Sequence, residues 1–371
     1  MRLSSVYVIT LLFTVVFLIL SINYVSNNSH LVGFSMLDKS SENELKKVIQ
    51  CYDKPLKFSI KIRGSFYIFH NFIQARTVHK CEESVTFTTI GDYLHLDNLI
   101  QIVKRWKGPV SVALHADKNV PLLRAYKDEF NCSKRPPFLE NKRENMYKTQ
   151  AKIKFPINVL RNVARENAQT HFVLAADIEL YPSENIIKTF LDMVVKQKHL
   201  FTPDARNVFV LPIFEVKSNQ VAPLNKTTLI EMYHNRTAFK FHEQICNQCH
   251  EVPKVFEWLK LPIENNLKPF TFVKRKEKFR IWEPFYIDTN FEPVFEERIN
   301  WENGEDKMSQ NYKQCLLDYN YWVLDNAFLV HRPGIKVFNL KHPDTRKEST
   351  KFDKDRLKNE YITLFGNVVG C

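Results

Sequence analysis

The sequence predicts an α/β protein in which a mostly parallel β-sheet is flanked by helices. Segments rich in β-branched and aromatic residues alternate with segments whose apolar residues recur at helical spacing. The 371 residues are 44% hydrophobic and 25% charged, which is the balance of a globular protein. With 29 Phe and 14 Tyr, the chain can also bury a sizeable core.

The predicted elements follow one another as strand, helix, strand, helix, strand. The β-branched run 84–89 predicts the first strand, and the apolar positions of 94–106 predict a helix that the Lys-Gly-Pro sequence at 107–109 ends. Further elements are predicted as a strand at 110–114, a helix at 157–169 and strands at 171–176 and 208–216. In such sheets ligands bind beyond the carboxyl ends of the strands. The absence of a Gly-rich dinucleotide fingerprint and of a P-loop argues against the enzymes that use them.

The N-terminus indicates the compartment. Residues 6–22 are apolar and uncharged, near the short end of what spans a bilayer, and Arg2 precedes them. Because no small-x-small cleavage site follows, an uncleaved signal anchor is favoured over a cleaved signal peptide. We expect a cytosolic tail at 1–5, a transmembrane helix at 6–24, a polar stem at 25–56 and one luminal domain at 57–371.

Three other features bear on the compartment and on partners. Asn-x-Ser/Thr sequons, which are glycosylated in the secretory lumen, occur at Asn27, Asn131, Asn225 and Asn235. Seven cysteines should be mostly paired there, with at least one left over. The net charge of +12 favours anionic partners, namely nucleic acid, anionic glycans, nucleotide-sugar phosphates or a membrane surface. A luminal location argues against nucleic acid.

An acidic pair follows the buried strand at 171–176. The period of a strand would point Asp177 and Glu179 to the same side. Two such carboxylates at the mouth of a sheet repel each other, and a hard divalent cation bound to a phosphate-bearing ligand would relieve the repulsion. The alternative is a surface loop whose acids face water.

Several segments together resemble glycosyltransferase family 49, in their order as well as their local sequence. They are FPINVLRNVAR at 155–165, HFVL before the acidic pair, VLPIFE at 210–215, WEPFY at 282–286, FEER at 295–298 and VLDNAFLVH at 323–331. The resemblance covers most of residues 80–345. It implies a GT-A fold, a UDP-sugar donor, Mn²⁺ and inversion at the anomeric carbon.

The resemblance also implies the metal ligands. The family's D-x-D motif corresponds to Asp177 and Glu179, so the second Asp is Glu here. His331, after the apolar run 327–330, is expected as a third ligand, since imidazole suits Mn²⁺. A lone His after a strand is otherwise more often structural.

A second set of residues is expected to act in the sugar transfer. Glu297 is expected to act as general base, with Glu296 as the alternative, because adjacent acids usually point in different directions. Thr88 and Thr89, at the predicted end of the first strand, are expected near the nucleotide. Arg161 is expected to meet phosphate or acceptor, or else to pair with surface acids.

The predicted function is metal-dependent, inverting transfer of a sugar from a UDP donor to a glycan acceptor on a glycoprotein at the Golgi membrane. Glucuronic acid is the favoured donor sugar and N-acetylglucosamine the next. The alternative is a catalytically inactive, glycan-binding relative, which the Asp-to-Glu departure keeps open. Cys246 and Cys249, flanked by His242 and His250, are expected to form disulfides rather than a zinc site.

Overall fold

The computed structural model describes residues 39–75, 77–116, 142, 144, 146–153, 155–299, 306–335 and 349–371. Its helices are α1 (Lys39–Ile49), α2 (Asp97–Trp106), α3 (Tyr147–Gln150), α4 (Ile157–Glu166), α5 (Ile186–Lys196), α6 (Lys226–His234), α7 (Val255–Lys260), α8 (Met308–Leu316) and α9 (Ser349–Phe365). Its strands are β1 (Ser59–Arg63), β2 (Phe66–His70), β3 (Val85–Gly91), β4 (Val110–Leu114), β5 (Phe172–Ala175), β6 (Leu180–Pro182), β7 (Asn207–Leu211), β8 (Ile213–Val216), β9 (Ala238–Lys240), β10 (Pro269–Lys274), β11 (Phe285–Thr289), β12 (Asn320–Leu324) and β13 (Leu329–His331).

A seven-stranded sheet with the order β10-β12-β7-β11-β5-β3-β4 forms the centre of the molecule. β3 pairs in parallel with β4 and β5, and β12 pairs in parallel with β7. β11 is antiparallel to both of its neighbours, and β10 is antiparallel to β12. The α/β class is therefore confirmed, but the sheet is evenly mixed rather than mostly parallel, because β11 enters between β5 and β7 in the opposite direction.

Helices cover both faces of this sheet, as predicted. Val85 and Phe87 point to one face of β3 and share a buried cluster with residues of α2, whereas Ile90 points to the other face and packs with α4. A smaller sheet with the order β6-β13-β8-β9 and the separate β1–β2 hairpin complete the strands of the described residues.

The segment predicted as one strand at 208–216 is two strands in two different sheets. β7 ends at Leu211 in the central sheet, and β8 begins at Ile213 in the four-stranded sheet. Pro212 lies between them, and its carbonyl accepts a hydrogen bond from the backbone N–H of Leu329 at 2.8 Å. A proline has no N–H for a sheet ladder, which allows the chain to pass from one sheet to the other here.

The folded body begins earlier than the sequence predicts. Residues 39–49, assigned to the stem, form helix α1, whose Leu45 and Ile49 are buried in the main core. Their spacing of four residues places both side chains on one helix face. A disulfide between Cys51 and Cys81 ties the next residues to the body, so the stretch expected as a stem up to residue 56 is partly folded.

Two further disulfides join Cys246 to Cys249 and Cys315 to Cys371. The expected pairing of most cysteines is thus confirmed for six of them, and Cys132 lies outside the described residues. The predicted transmembrane helix at 6–24 also lies outside them. Within the part of the chain that the structure describes, every helix is too short or too polar to cross a bilayer.

Candidate active site

The acidic pair lies in a tight turn immediately after β5. β5 ends at Ala175, and the backbone N–H of Leu180 donates to the carbonyl of Asp177 at 2.9 Å. Ile178 is buried between the two acids, against the end of β3, where a Cβ on Gly91 would come within 3.1 Å of the Ile178 side chain. Because the pair lies in a turn and not within a strand, its two side chains face different partners.

Asp177 faces two cations. The Arg161 guanidinium donates to Asp177 Oδ1 at 2.9 Å, and Lys307 Nζ donates to Asp177 Oδ2 at 3.3 Å. Burial by itself would raise the pKa of Asp177, but Lys307 and Arg161 together hold it well below its usual range. The carboxylate is therefore ionised at any physiological pH, and 40% of its side chain remains accessible to a ligand.

Both cationic side chains are buried and make further contacts. Arg161 also donates to the carboxylate of Asp306, and its guanidinium lies 5.3 Å from the centre of the Phe295 ring. Lys307 lies 4.7 Å from the Phe285 ring centre. Burial would lower the pKa of Lys307, but Asp177 and Asp306 raise it above the usual value, so the ammonium keeps its charge. The acids and the cations thus form one compensated cluster.

Helix α4 supplies the framework of this cluster. Four polar side chains of α4, Asn158, Arg161, Asn162 and Arg165, are buried, which is unusual for a short helix in a soluble domain. Asn158 donates to the backbone carbonyls of Glu296 and Asp306, both at 2.9 Å. Asn162 donates to the Phe295 carbonyl and accepts from the Phe295 N–H. The helix therefore fixes the 295–297 segment and Asp306 beside β5.

Glu179 faces His331 on the other side of the turn. β13 pairs with β6 so that His331 lies opposite Leu180, which brings His331 Nε2 to 3.5 Å from Glu179 Oε2. His331 Nδ1 donates to the carbonyl of Arg332 at 2.8 Å. The other ring nitrogen, Nε2, faces the Glu179 carboxylate. That nitrogen is buried and has no hydrogen-bond partner among the described residues.

These residues suit a divalent cation, although they do not converge on one point. In metal-binding histidines the ring nitrogen that does not bind the metal commonly donates to a carbonyl, as Nδ1 of His331 does. Among the described residues, Asp177, Glu179 and His331 do not bring one ligand atom each within 4.8 Å of one another. The residues that do so are Cys51, Cys81 and Glu82, and the two cysteines form a disulfide.

The two candidates for the general base differ in their surroundings. Glu297 Oε1 accepts from Asn162 at 2.7 Å and from Arg63 at 3.2 Å, and about a third of its side chain is exposed. Glu296 is more enclosed: it accepts from Arg298 at 2.7 Å and from the Tyr361 hydroxyl at 2.6 Å. Burial opposes ionisation of Glu296, but these hydrogen bonds lower its pKa to about 2. A carboxylate so strongly stabilised is a poor proton acceptor.

Thr88 and Thr89, which were expected to contact the nucleotide, are too deeply buried for that role. β3 continues to Gly91, because Ile90 and Gly91 still pair with Ala113 and Leu114 of β4. Thr88 and Thr89 are therefore inside the strand, and both are only 2% exposed. Thr88 Oγ1 donates to the carbonyl of Leu174 at 3.4 Å.

Sequence reasoning missed the residues at the true end of β3. Asp92 follows Gly91, and its carboxylate accepts from the Leu94 N–H at 3.0 Å and from His95 Nδ1 at 2.7 Å. The hydrogen bond that His95 donates to Asp92 raises the pKa of His95, and the charge of Glu179 adds to this effect. A Gly-Asp sequence at the end of a β-branched run was the signal that could have found this pair.

His250 and Glu283, which interact electrostatically with Lys307, form a second group that sequence reasoning missed. His250 Nδ1 donates to the carbonyl of Glu283 at 3.0 Å, and the Glu283 N–H donates to the carbonyl of Cys249 at 2.7 Å. Burial lowers the pKa of His250 to about 4 and raises that of Glu283. The Cys246–Cys249 loop is thus fixed to the WEPFY segment at 282–286.

The comparison with protein families assigns the class. The family model described as "Glycosyl-transferase for dystroglycan" matches residues 84–128 and 119–366. The chain is therefore a glycosyltransferase, and this prediction from the sequence is confirmed. It belongs to glycosyltransferase family 49, as the resemblance had indicated.

Over the aligned residues, individual relatives are about a quarter identical to this chain. Beta-1,4-glucuronyltransferase 1 of Danio rerio is 27% identical, over 75% of this chain and 73% of that protein. Xylosyl- and glucuronyltransferase LARGE1 of Homo sapiens is 22% identical, over 82% of this chain and 39% of that protein. The crystal structure of S. aureus TarS 1-349 in complex with UDP covers 66% of this chain and 60% of that chain, at 13% identity and a TM-score of 0.32.

Proposed function

We propose that this chain transfers a sugar from a UDP donor to a glycan acceptor, with a divalent cation as cofactor. The observation that carries the proposal is the turn after β5. Asp177 lies there among Arg161 and Lys307, and Glu179 lies beside the free nitrogen of His331. Acids that hold a cation beside side chains that bind phosphate are what departure of a nucleoside diphosphate requires.

Asp177, Glu179 and His331 would hold Mn²⁺, with Glu in place of the second Asp of the family motif. When bound, the ion would neutralise charge on the leaving diphosphate as a Lewis acid. Arg161 and Lys307 orient Asp177, and their positive charges favour a diphosphate at the same edge of the sheet. A phosphate group there would compete with Asp177 for both cations and would free the Asp177 oxygens.

Glu297 is the proposed general base. The hydroxyl proton of the acceptor passes to an Oε oxygen of Glu297 as the acceptor oxygen bonds to the anomeric carbon and the bond to the diphosphate breaks. Asn162 and Arg63 hold the carboxylate in one orientation through Oε1. Attack from the face opposite the leaving group inverts the anomeric centre.

Glucuronic acid is the favoured donor sugar, because the similar proteins named above are called glucuronyltransferases. N-acetylglucosamine is the next candidate. A GT-A arrangement of the domain and a glycoprotein acceptor at the Golgi membrane complete the proposal. The apolar segment at 6–22 supports the membrane location, with the body on the luminal side.

A donor screen tests the activity. The full chain is incubated with Mn²⁺ and a panel of UDP-sugars, and release of UDP is measured with and without glycan acceptors. We expect UDP-glucuronic acid to give the highest turnover and a chelator to abolish it. If every donor is inert while glycan binding is retained, the chain is instead an inactive glycan-binding relative.

Glycosylation tests the luminal location. Asn225 and Asn235 lie in sequons at the two ends of α6, and both side chains are exposed. In cells we expect removal of N-glycans to increase mobility on a gel, and the variants Asn225→Gln and Asn235→Gln each to remove part of that shift. If the glycosidase changes nothing, the luminal location is wrong.

A further inference from the structure

Helix α8 turns a row of polar side chains toward the core. At helical spacing, the row consists of Lys307, which immediately precedes the helix, and of Gln310, Asn311 and Gln314. The last three are at most 2% exposed. A helix that packs on a core normally presents apolar residues at this spacing. The row therefore needs polar partners inside the body.

Two members of the row have such partners. Gln310 donates to the carbonyl of Pro293 at 2.8 Å. Gln314 accepts a hydrogen bond from the hydroxyl of Tyr321 at 2.7 Å. The amide side chains on either side of Asn311 are thus held in place by the protein itself.

Asn311 differs from its neighbours in the row. Its side chain is only 1% exposed, and neither the amide nitrogen nor the amide oxygen has a hydrogen-bond partner among the described residues. A buried donor or acceptor that makes no hydrogen bond costs free energy, and proteins commonly satisfy such groups with an ordered water. Asn311 therefore requires a small ligand that can donate to its oxygen or accept from its nitrogen.

A cavity of matching size lies beside Asn311. The residues that line it include Ala175, Phe295, Lys307, Gln310 and Asn311. The cavity leaves about 10 Å³ for the centre of a water molecule, which is room for one water and not for a sugar. Because water both donates and accepts, one molecule there can bond to the Asn311 amide and to a second polar group.

Lys307 supplies the second polar group. Lys307 and Asn311 are four residues apart, and the backbone N–H of Asn311 donates to the carbonyl of Lys307 at 3.1 Å, so their side chains are neighbours on one helix face. The Lys307 ammonium has three N–H donors, one of which bonds to Asp177 at 3.3 Å. A water between the ammonium and the Asn311 oxygen would give Lys307 a second, uncharged acceptor.

We propose that this cavity holds one ordered water that links Asn311 to the ammonium of Lys307. Asn311 is then a positioning residue, because it acts on a bound diphosphate only through Lys307. This role rests on the proposed function, in which Lys307 favours a diphosphate at this edge of the sheet. When a cation or a phosphate competes for Asp177, the water remains as a fixed acceptor and keeps the ammonium in place.

A crystal structure of the full chain in detergent, at a resolution that shows ordered waters, tests the site without reference to any reaction. We expect density for one oxygen within hydrogen-bond distance of both the Asn311 amide and Lys307 Nζ. In Asn311→Leu the same position should hold no density. If the wild-type protein shows no such oxygen, or if the Asn311 amide bonds to a protein group instead, the proposal is overturned.

Affinity for UDP tests the positioning role. Binding is measured by isothermal titration calorimetry with Mn²⁺ present, for the wild type, Asn311→Leu and Asn311→Ala. Leu has about the volume of Asn but cannot bond to the water, so we expect the affinity to fall about fivefold. Ala leaves room for a second water in place of the amide, so the affinity should fall less. A role in packing alone predicts the reverse order, because Ala leaves the larger void.

A third variant covers the case in which Asn311→Leu does not fold. The hydroxyl of Asn311→Ser can bond to the same water, so this variant should weaken UDP binding less than Asn311→Ala does. Thermal melts of all variants exclude misfolding as the cause. Equal affinity in the wild type and Asn311→Leu, or a greater loss in Asn311→Ala, contradicts the positioning role. If the wild type itself does not bind UDP, the proposed function is wrong, and the crystal structure alone decides whether the water site exists.

Discussion

The two carboxylates of the turn after β5 lie only two residues apart, yet their surroundings are opposite. Asp177 is matched by two cations, whose charges hold its pKa far below the usual range. Glu179 faces a histidine nitrogen that has no hydrogen-bond partner among the described residues. The first acid is held by two cations of the protein, whereas the second lies beside an imidazole nitrogen. If a cation binds here as proposed, Asp177 would serve as its ligand in competition with Arg161 and Lys307.

Of the changes at the two acids and their partners, replacing Asp177 should have the largest effect on turnover. In Asp177→Asn the proposed cation loses an anionic ligand, and Arg161 and Lys307 keep their charges with one partner fewer. We expect turnover to fall about 1,000-fold or more, since metal and electrostatic stabilisation contribute several kcal/mol. Turnover is measured as UDP release at saturating Mn²⁺.

The fold should survive this change, because Asp306 still pairs with Arg161. The matched control is Asp192→Asn, which breaks a surface pair with Lys188 within α5 and should leave turnover unchanged. Unchanged turnover in Asp177→Asn, with a normal melting curve, would remove Asp177 from the proposed site.

The strand and helices around this turn could be predicted from the sequence, whereas the long-range contacts of the turn could not. The apolar run 171–176 correctly indicated a buried strand, and the periodicities at 94–106 and 157–169 located α2 and α4, because these signals are local. The mixed sheet could not be predicted, since the position of β11 depends on pairing with strands more than seventy residues away in sequence. The same applies to Lys307 and Asp306, which reach Asp177 only through the fold.

The adjacent acids Glu296 and Glu297 offer a second comparison. If Glu297 accepts the proton, Glu297→Gln should lower turnover about a hundredfold, while Mn²⁺ binding stays normal. Glu296→Gln should change turnover much less but should destabilise the protein by about 1–2 kcal/mol, because it weakens the bonds from Arg298 and Tyr361. Turnover and thermal unfolding are measured for both. The reverse ranking in turnover would assign the base to Glu296.

Replacing His331 should have a smaller effect, which is on the affinity for Mn²⁺. His331→Gln removes the nitrogen that faces Glu179, and we expect Mn²⁺ affinity to fall about tenfold or more, by analogy with losses around metal-ligating histidines. The affinity is read by electron paramagnetic resonance of free Mn²⁺ without donor, so the readout does not depend on catalysis. The exposed His199→Gln is the control. Equal affinity in wild type and His331→Gln would mean that His331 is structural.

The last expected effect is on stability rather than on turnover or metal binding, and it concerns His250, whose Nδ1 donates to the Glu283 carbonyl. Burial lowers the pKa of His250 to about 4, so the folded state prefers the neutral ring. Below its ordinary pKa of about 6.5 the unfolded chain takes up a proton that the folded chain resists, and stability falls as the pH drops from 6.5 toward 4. The contribution lost between about pH 7 and pH 5 is about 2 kcal/mol. His171, whose pKa burial also lowers to about 4, adds to the total slope.

Replacing His250 shows how much this residue contributes to the pH dependence of the unfolding free energy. In His250→Asn the amide can still donate to the Glu283 carbonyl but has no proton to take up. Chemical unfolding at the two pH values should show a stability loss smaller by up to about 2 kcal/mol than in wild type. The comparison uses the difference between pH values, so the packing lost with the ring cancels. An identical loss in both proteins would mean that the His250 ring takes up its proton as readily in the folded body as in the unfolded chain, which burial beside Lys307 should prevent.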